Sequence, residues 1–286
     1  MGRVALAAAA RILNRPPELV IGTATSGRTR WRTTTGGVNV KRAALVTGAS
    51  YGVGAATALA LARGGFDVAL TATKPENLTE TVKAVERADA RALPCVLDLR
   101  DQTSIAQAAA EVAAAFGQLD VLVNNAGANL RKRAAEVTAP EWDEVMAVNI
   151  RGTFFLTQEI GRRLIAAGRG GCIVNVASTH ALVGAVERST YGISKAALVG
   201  MTRMLAVEWA EYNIRVNAVA PGRLDTASPS RAEMGAGYIE AMLKRIPLHR
   251  LANAEEVAAM VSYLASPAAA SVTGQVLVLD GGLTAV

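Results

Sequence analysis

Ala-Ala-Leu-Val-Thr-Gly-Ala-Ser-Tyr-Gly-Val-Gly, residues 43–54, is the stretch on which the fold turns. Four apolar residues run without interruption into Thr47. Glycines follow at Gly48, Gly52 and Gly54, and an Ala/Leu-rich run begins at the last two. A short continuous apolar run reads as a strand buried on both faces. Glycines at the strand's end permit a tight turn into a helix and let a ligand approach the backbone closely. The exposed N–H groups of a helix start, with its dipole, suit a phosphate. A strand, a glycine loop and a helix in that order predict the opening unit of a nucleotide-binding α/β domain.

The same alternation continues along the chain. Strands are expected over 43–47, 67–72, 92–97, 119–124, 171–177, 214–220 and 276–280. Helices are expected over 52–63, 75–87, 102–116, 140–167, 190–212 and 254–265. Short apolar strands separated by helices predict an α/β fold, a single doubly wound domain with a parallel sheet of seven strands and helices on both faces. The segment 223–250 breaks the rhythm with Ser-Pro-Ser and Gly-Ala-Gly and reads as a lid over the site.

A second stretch carries the chemistry. Tyr191 and Lys195 stand four residues apart in a helical pattern, which places them on one face. A phenol titrates near about pH 10, and an adjacent cation favours its phenolate form. Ser178, thirteen residues before Tyr191, closes a strand and can hydrogen-bond a substrate oxygen.

With the glycine loop upstream, Ser178 and Tyr191-x-x-x-Lys195 resemble the short-chain dehydrogenase/reductase family from about Lys41 to the C-terminus. The resemblance implies a Rossmann fold and a nicotinamide-dependent exchange of a ketone and a secondary alcohol. It implies a catalytic tetrad of Asn149, Ser178, Tyr191 and Lys195, in which Asn149 distorts a helix and holds a proton-relay water. For the cofactor it implies Gly48, Ser50, Tyr51, Gly52, Val53 and Gly54 at the pyrophosphate. Asp98 and Leu99 would lie by the adenine and Asn125, Ala126 and Gly127 along the dinucleotide. Tyr191 and Lys195 would meet the nicotinamide ribose, and Pro221, Gly222 and Thr226 the nicotinamide.

Cofactor choice is read at the end of the second strand, where an acid would bind the ribose 2′-hydroxyl of NAD. This chain has Ala72-Thr73-Lys74 instead. The absence of an acid, with Thr73 and Lys74 at hand, favours NADP over NAD. Tyr51, where many NADP-using relatives carry Arg, is the departure that weighs against it.

The tract Arg131-Lys132-Arg133 lies at the expected mouth and could attract an acidic substrate or an acyl-carrier protein. The best reading is an NADPH-dependent carbonyl reductase like the 3-oxoacyl-carrier-protein reductases. A sugar-acid dehydrogenase of the gluconate 5-dehydrogenase type is the alternative, and a cofactor-binding regulatory protein without turnover is the reading from another class. His180 should face the pocket and is not taken as catalytic.

The formal charge of +6 is concentrated at the N-terminus, where residues 1–42 hold eight basic groups and one acid. The body is near neutral, which speaks against nucleic acid as a partner. Residues 1–40 read as a disordered extension, with a targeting presequence or a non-AUG start at Val38 or Val40 as alternatives, and 41–286 as the catalytic domain. Two cysteines and two histidines at no ligand spacing predict no metal site and no disulfide framework. No apolar run approaches the length of about 20 residues that a membrane helix needs, and a cytoplasmic location is expected. The 190–212 helix is apolar on more than one face, which with the resemblance predicts a homodimer or homotetramer.

Overall fold

A computed structural model describes residues 41–225 and 236–286. Seven strands form one sheet: β1 (Arg42–Val46), β2 (Phe66–Ala72), β3 (Ala92–Val96), β4 (Val121–Asn124), β5 (Gly171–Val176), β6 (Ile214–Pro221) and β7 (Val276–Leu279). Their order is β3-β2-β1-β4-β5-β6-β7 and every pairing is parallel. β1 lies between β2 and β4, with Val46 opposite both Leu70 and Val123. The chain therefore leaves β1 toward one edge and, after β3, resumes at β4 on the other side. A crevice opens where the order reverses, at the carboxyl ends of β1 and β4.

Alternation along β1 sorts the core into two layers. Ala44 and Val46 face α1 (Gly52–Arg63) and α2 (Thr79–Glu86), packing with Ala58, Leu61 and Val85. Ala43 and Leu45 face the opposite layer, built on α3 (Gln102–Phe116), α5 (Thr153–Ala167) and α6 (Ser189–Glu208), with Ile105, Leu156, Ile160, Leu205 and Trp209. The expected doubly wound architecture is present. Of the two last helices, α7 (Ala236–Leu243) falls inside the segment read as a lid, and α8 (Ala254–Leu264) starts on a capping box of Asn253 and Glu256. Residues 226–235 of that segment lie outside the described residues, as does the expected extension 1–40.

One expected helix is not continuous. Residues 140–167 form α4 (Ala139–Met146), then a wide π turn (Ala147–Gly152), then α5. Apolar periodicity does not reveal a π turn, because one extra residue shifts the stripe without interrupting it. At its end Gly152 packs against the loop after β3, so closely that a Cβ there would overlap the Leu99 carbonyl.

A polar ladder crosses the buried sheet below the crevice. Asn124 on β4 donates through Nδ2 to Thr157 Oγ1 on α5 at 2.8 Å and to Asn175 Oδ1 on β5 at 2.8 Å. Asn175 in turn donates to Thr202 Oγ1 on α6 at 2.9 Å. All four residues are buried, so each bond satisfies a group that water cannot reach. The ladder fixes β4 and β5 against the helices just before both strands deliver their functional loops.

Cys95 and Cys172 are buried and free. Burial pushes their thiols up to about 12 and about 11, which leaves both uncharged and inert at neutral pH.

Candidate active site

The glycine loop between β1 and α1 is held by its neighbours rather than by its own side chains. Thr47 Oγ1 accepts hydrogen bonds from the backbone N–H groups of Asn125 and Ala126, both at 2.9 Å. Asn125 Nδ2 donates back to the carbonyls of Thr47 and Gly48, each at 2.9 Å. The turn after β4 is thereby clamped onto the turn after β1. A Cβ on Gly48, where φ is +63°, would come within 2.9 Å of Ala126 Cα, and one on Gly54 would overlap the Gly48 carbonyl. Gly52, at φ +59°, has nothing within 4 Å of its missing Cβ. Bare backbone at a helix start, facing open space at the switch point, fits a dinucleotide's pyrophosphate. Val53 packs into the core beneath, and Ser50 is held through its carbonyl by Thr81 Oγ1.

Along the crevice, Ala72 ends β2 buried, while Thr73 and Lys74 stand exposed beyond it. Tyr51, 73% exposed, lies at the first turn of α1. Asp98 is forked by Arg100 at 2.7 Å, and Arg100 also reaches Glu144 on α4 at 3.1 Å. The hydrogen bonds from Arg100 hold the Asp98 carboxyl below the usual range. Asp101, and not Asp98, caps α3 by accepting from the Thr103 N–H. Leu99 points its side chain into the core, and its carbonyl packs against Gly152. Pro221 and Gly222 end β6 against the C-terminal turn, with Gly222 N–H donating to the Leu279 carbonyl at 2.9 Å. Thr226 lies outside the described residues.

The four candidate catalytic residues converge between β5, α6 and the π turn. Ser178 stands after β5, its Oγ accepting from the His180 N–H at 3.2 Å. Lys195 is fully buried and donates to the Val176 carbonyl at 2.7 Å. Asn149 sits inside the π turn. Its Oδ1 accepts from the Ala128 N–H at 2.7 Å, and its Nδ2 donates to the Ala128 carbonyl and to Ser194 Oγ, both at 2.9 Å. Ser194 Oγ donates to the Tyr191 carbonyl at 2.7 Å. A Cβ on Gly127 would lie 3.2 Å from Asn149 Oδ1 and 3.5 Å from Lys195 Nζ, so this glycine lets the β4 turn close over both.

The electrostatics differ from the simple expectation that Lys195 pulls Tyr191 down. Burial pushes the Tyr191 phenol above its usual value, opposed by the nearby Ser178 side chain and by Arg188. Burial likewise lowers Lys195 to about 8. Lys195 Nζ stands 5.8 Å from the centre of the Tyr191 ring, directed at a backbone carbonyl. His180 is half-buried, its ring edge-on to Tyr191 at 6.1 Å. Burial first, then Arg188 and Arg223, lowers its pKa, so the imidazole is neutral near pH 7.

The basic tract does not stand ready as a clamp. Arg131 pairs with Glu187 at 2.7 Å and Lys132 with Glu141 at 2.8 Å. Glycine and tetrad motifs were visible from their residue types, but two supporting residues were not singled out. Thr47 ties the two turns together, and Ser194 links Asn149 to the Tyr191 backbone. Both sit inside the motifs themselves, and the signal for Ser194 was its place three residues after Tyr191 on one helix face.

A glycine cradle at the switch point of a parallel sheet, opening beside a buried Ser-Tyr-Lys-Asn cluster, defines a nucleotide-dependent oxidoreductase. The chain belongs to the short-chain dehydrogenase/reductase family and acts on CH–OH groups with NAD or NADP. Residues 48–284 match a family model described as Enoyl-(Acyl carrier protein) reductase. The chain is 40% identical to a 3-oxoacyl-[acyl-carrier-protein] reductase of Thermotoga maritima, over 84% of this chain and 96% of that protein. It is 41% identical to a cis-4-hydroxycyclohexanecarboxylate dehydrogenase of Sinomonas cyclohexanicum, over 86% and 98%. A crystal structure from Agrobacterium tumefaciens, described as a 2-deoxy-d-gluconate 3-dehydrogenase with bound NADP, superimposes with a TM-score of 0.78 at 35% identity, over 86% and 97%.

Proposed function

We propose that the protein reduces a small-molecule ketone to a secondary alcohol with NADPH, with Tyr191 as the proton donor. The observation that carries this reading is the convergence of the four residues beside the glycine cradle, with Asn149 tied through Ser194 to the Tyr191 backbone and Lys195 held 5.8 Å from the Tyr191 ring. Burial raises the phenol's pKa and keeps it protonated. A neutral phenol is the form that can donate.

When bound, the nicotinamide supplies a hydride to the carbonyl carbon, so that ketone, reduced cofactor and one proton give alcohol and oxidised cofactor. Ser178 holds and polarises the carbonyl oxygen while Tyr191 donates its proton to it. Lys195 binds the nicotinamide ribose and returns a proton toward Tyr191, a task suited to an ammonium held at about 8. Both Asn149 amide hydrogens are already engaged, so its part in the relay runs through its backbone in the π turn. Gly48 to Gly54 and Asn125 to Gly127 would hold the dinucleotide, with Pro221 and Gly222 toward the nicotinamide. Tyr51, Thr73 and Lys74 would lie toward the ribose 2′ position, and the absence of an acid after β2 supports NADP.

The carrier-protein and sugar-acid readings both leaned on residues 131–133. Two of those three cations are paired with carboxylates of the same chain, so the tract supports neither in particular. Assembly as a dimer or tetramer rests on the outer face of α6, where Met204 and Val207 are 69% and 81% exposed.

The test follows NADPH absorbance with a panel of cyclic ketones, oxo acids, oxoacyl thioesters and sugar acids. Turnover with wild type and its loss in Tyr191→Phe, with cofactor still bound, is expected. Equal turnover by Tyr191→Phe refutes the assignment.

A further inference from the structure

His180 lies in the single 3₁₀ turn Thr179–Ala181, which starts directly from Ser178 at the end of β5. Its place is fixed from two sides. Its N–H donates to Ser178 Oγ at 3.2 Å, and the Ala181 N–H donates to the Ser178 carbonyl at 2.9 Å. On the other side stands α6. A Cβ on Gly192 would come within 3.0 Å of the His180 carbonyl, so the residue after Tyr191 must be small for helix and turn to meet. The imidazole ring then lies 6.1 Å from the Tyr191 ring, edge-on at 80°. His180 is thus tied by a hydrogen bond to one member of the tetrad and by packing to another.

The two nitrogens of that ring differ. Nδ1 is shut away from solvent with no hydrogen-bond partner among the described residues, whereas Nε2 is not shut away. A proton on Nδ1 would be a buried donor with nothing to accept it, a cost the ring avoids by carrying its proton on Nε2. The result is an N–H donor held beside Tyr191 and Ser178.

Resting on the ketone-reduction reading above, we propose that His180 binds a second oxygen of the substrate, on the carbon next to the ketone. Tyr191 donates to the ketone oxygen while His180 Nε2–H donates to the adjacent hydroxyl. Rings 6.1 Å apart, each making a bond of about 2.8 Å, suit two neighbouring oxygens rather than the two ends of a long molecule. The substrate is then an α-hydroxyketone and the product a vicinal diol.

Three probes test this by NADPH absorbance: 3-hydroxybutan-2-one, its isomer 4-hydroxybutan-2-one, and butan-2-one. Wild type should favour the first over both others in kcat/KM. His180→Phe and His180→Asn should each lower the ratio of the two isomers roughly fivefold, the worth of one neutral hydrogen bond. Phe keeps a ring without a donor, and Asn reaches only as far as Nδ1. His180→Gln should keep most of the ratio, because its amide reaches the place of Nε2. A packing role alone would reverse that order and make Phe the best replacement. The ratio cancels any effect on Tyr191 or the cofactor common to both isomers, and NADPH fluorescence shows that each variant still binds cofactor. An unchanged ratio in His180→Phe or His180→Asn, or an equal loss in His180→Gln, overturns the proposal and leaves ketone reduction in place. Silence on these three probes beside turnover of another ketone does the same. Silence on every ketone with cofactor bound overturns ketone reduction itself, and this inference with it.

Discussion

Lys195 directs its ammonium at the Val176 carbonyl, 2.7 Å away, and stands 5.8 Å from the centre of the Tyr191 ring. The two residues share a helix face, yet the lysine is anchored to the strand and not to the phenol. A fully buried ammonium with one carbonyl partner is a standing cost to the fold.

Lys195→Met should therefore abolish turnover and stabilise the cofactor-free protein. The lysine is lowered from 10.5 to about 8, equivalent to about 3 kcal/mol. Losing the bond to Val176 takes back about 1 kcal/mol, leaving a gain of about 2 kcal/mol at pH 7. From about pH 8 to 10.5 the unfolded wild-type chain holds a proton at this lysine that the folded chain has released. Wild-type stability should rise with pH across that window, and the rise should be absent in Lys195→Met. Urea midpoints at pH 7 and 9.5 check both points, and a lower midpoint for Lys195→Met at pH 7 contradicts the account.

Gly152→Ala should cost about 2 kcal/mol, because the new methyl must displace the Leu99 carbonyl or open the π turn. Thermal unfolding measures the loss. Since Asn149 lies in the same turn, kcat should fall as well. An unchanged melting temperature would mean that the loop after β3 yields freely.

Asn175→Leu removes the acceptor of one Asn124 N–H and the donor to Thr202. The orphaned amide on β4 has no water to turn to, so a loss of about 2 kcal/mol is expected in chemical denaturation. Thr202→Val should cost less, because Asn175 would lose one acceptor while its bond from Asn124 survives. Equal costs would mean the ladder does not act as drawn.

Cofactor preference turns on the exposed residues after β2. Lys74→Ala should lower the NADPH to NADH ratio of kcat/KM roughly tenfold, the loss of one charge-assisted hydrogen bond. Tyr51→Arg should raise it. A ratio indifferent to both would put 2′-phosphate recognition elsewhere in the chain.

The parallel seven-stranded sheet was legible because each strand is a short apolar run and the strands are separated by helices; its order was not read from the sequence. Ser178, Tyr191 and Lys195 could be singled out from residue type and spacing, whereas Asn149 came only from the resemblance. The π turn between α4 and α5 was not legible in apolar periodicity, which read 140–167 as one helix; only the resemblance, through Asn149, pointed to a distortion there, and the structure has it at Ala147–Gly152. The state of the basic tract was equally hidden. Glu187 lies 56 residues from Arg131, and no local pattern announces that pair. The direction of the Tyr191 shift depended on burial, which four-residue spacing alone does not report.

The six residues from Ala147 to Gly152 hold one more residue than a regular turn would take. Deleting one would let the turn close as ordinary helix, because a π turn takes up its extra residue within a single turn. Leu156, Ile160 and Leu164 would keep their places in the core, and the fold would survive the loss. What would go is the widened backbone at Asn149. The α4–α5 rod therefore carries a residue that packing does not require, and the position it serves is that of Asn149.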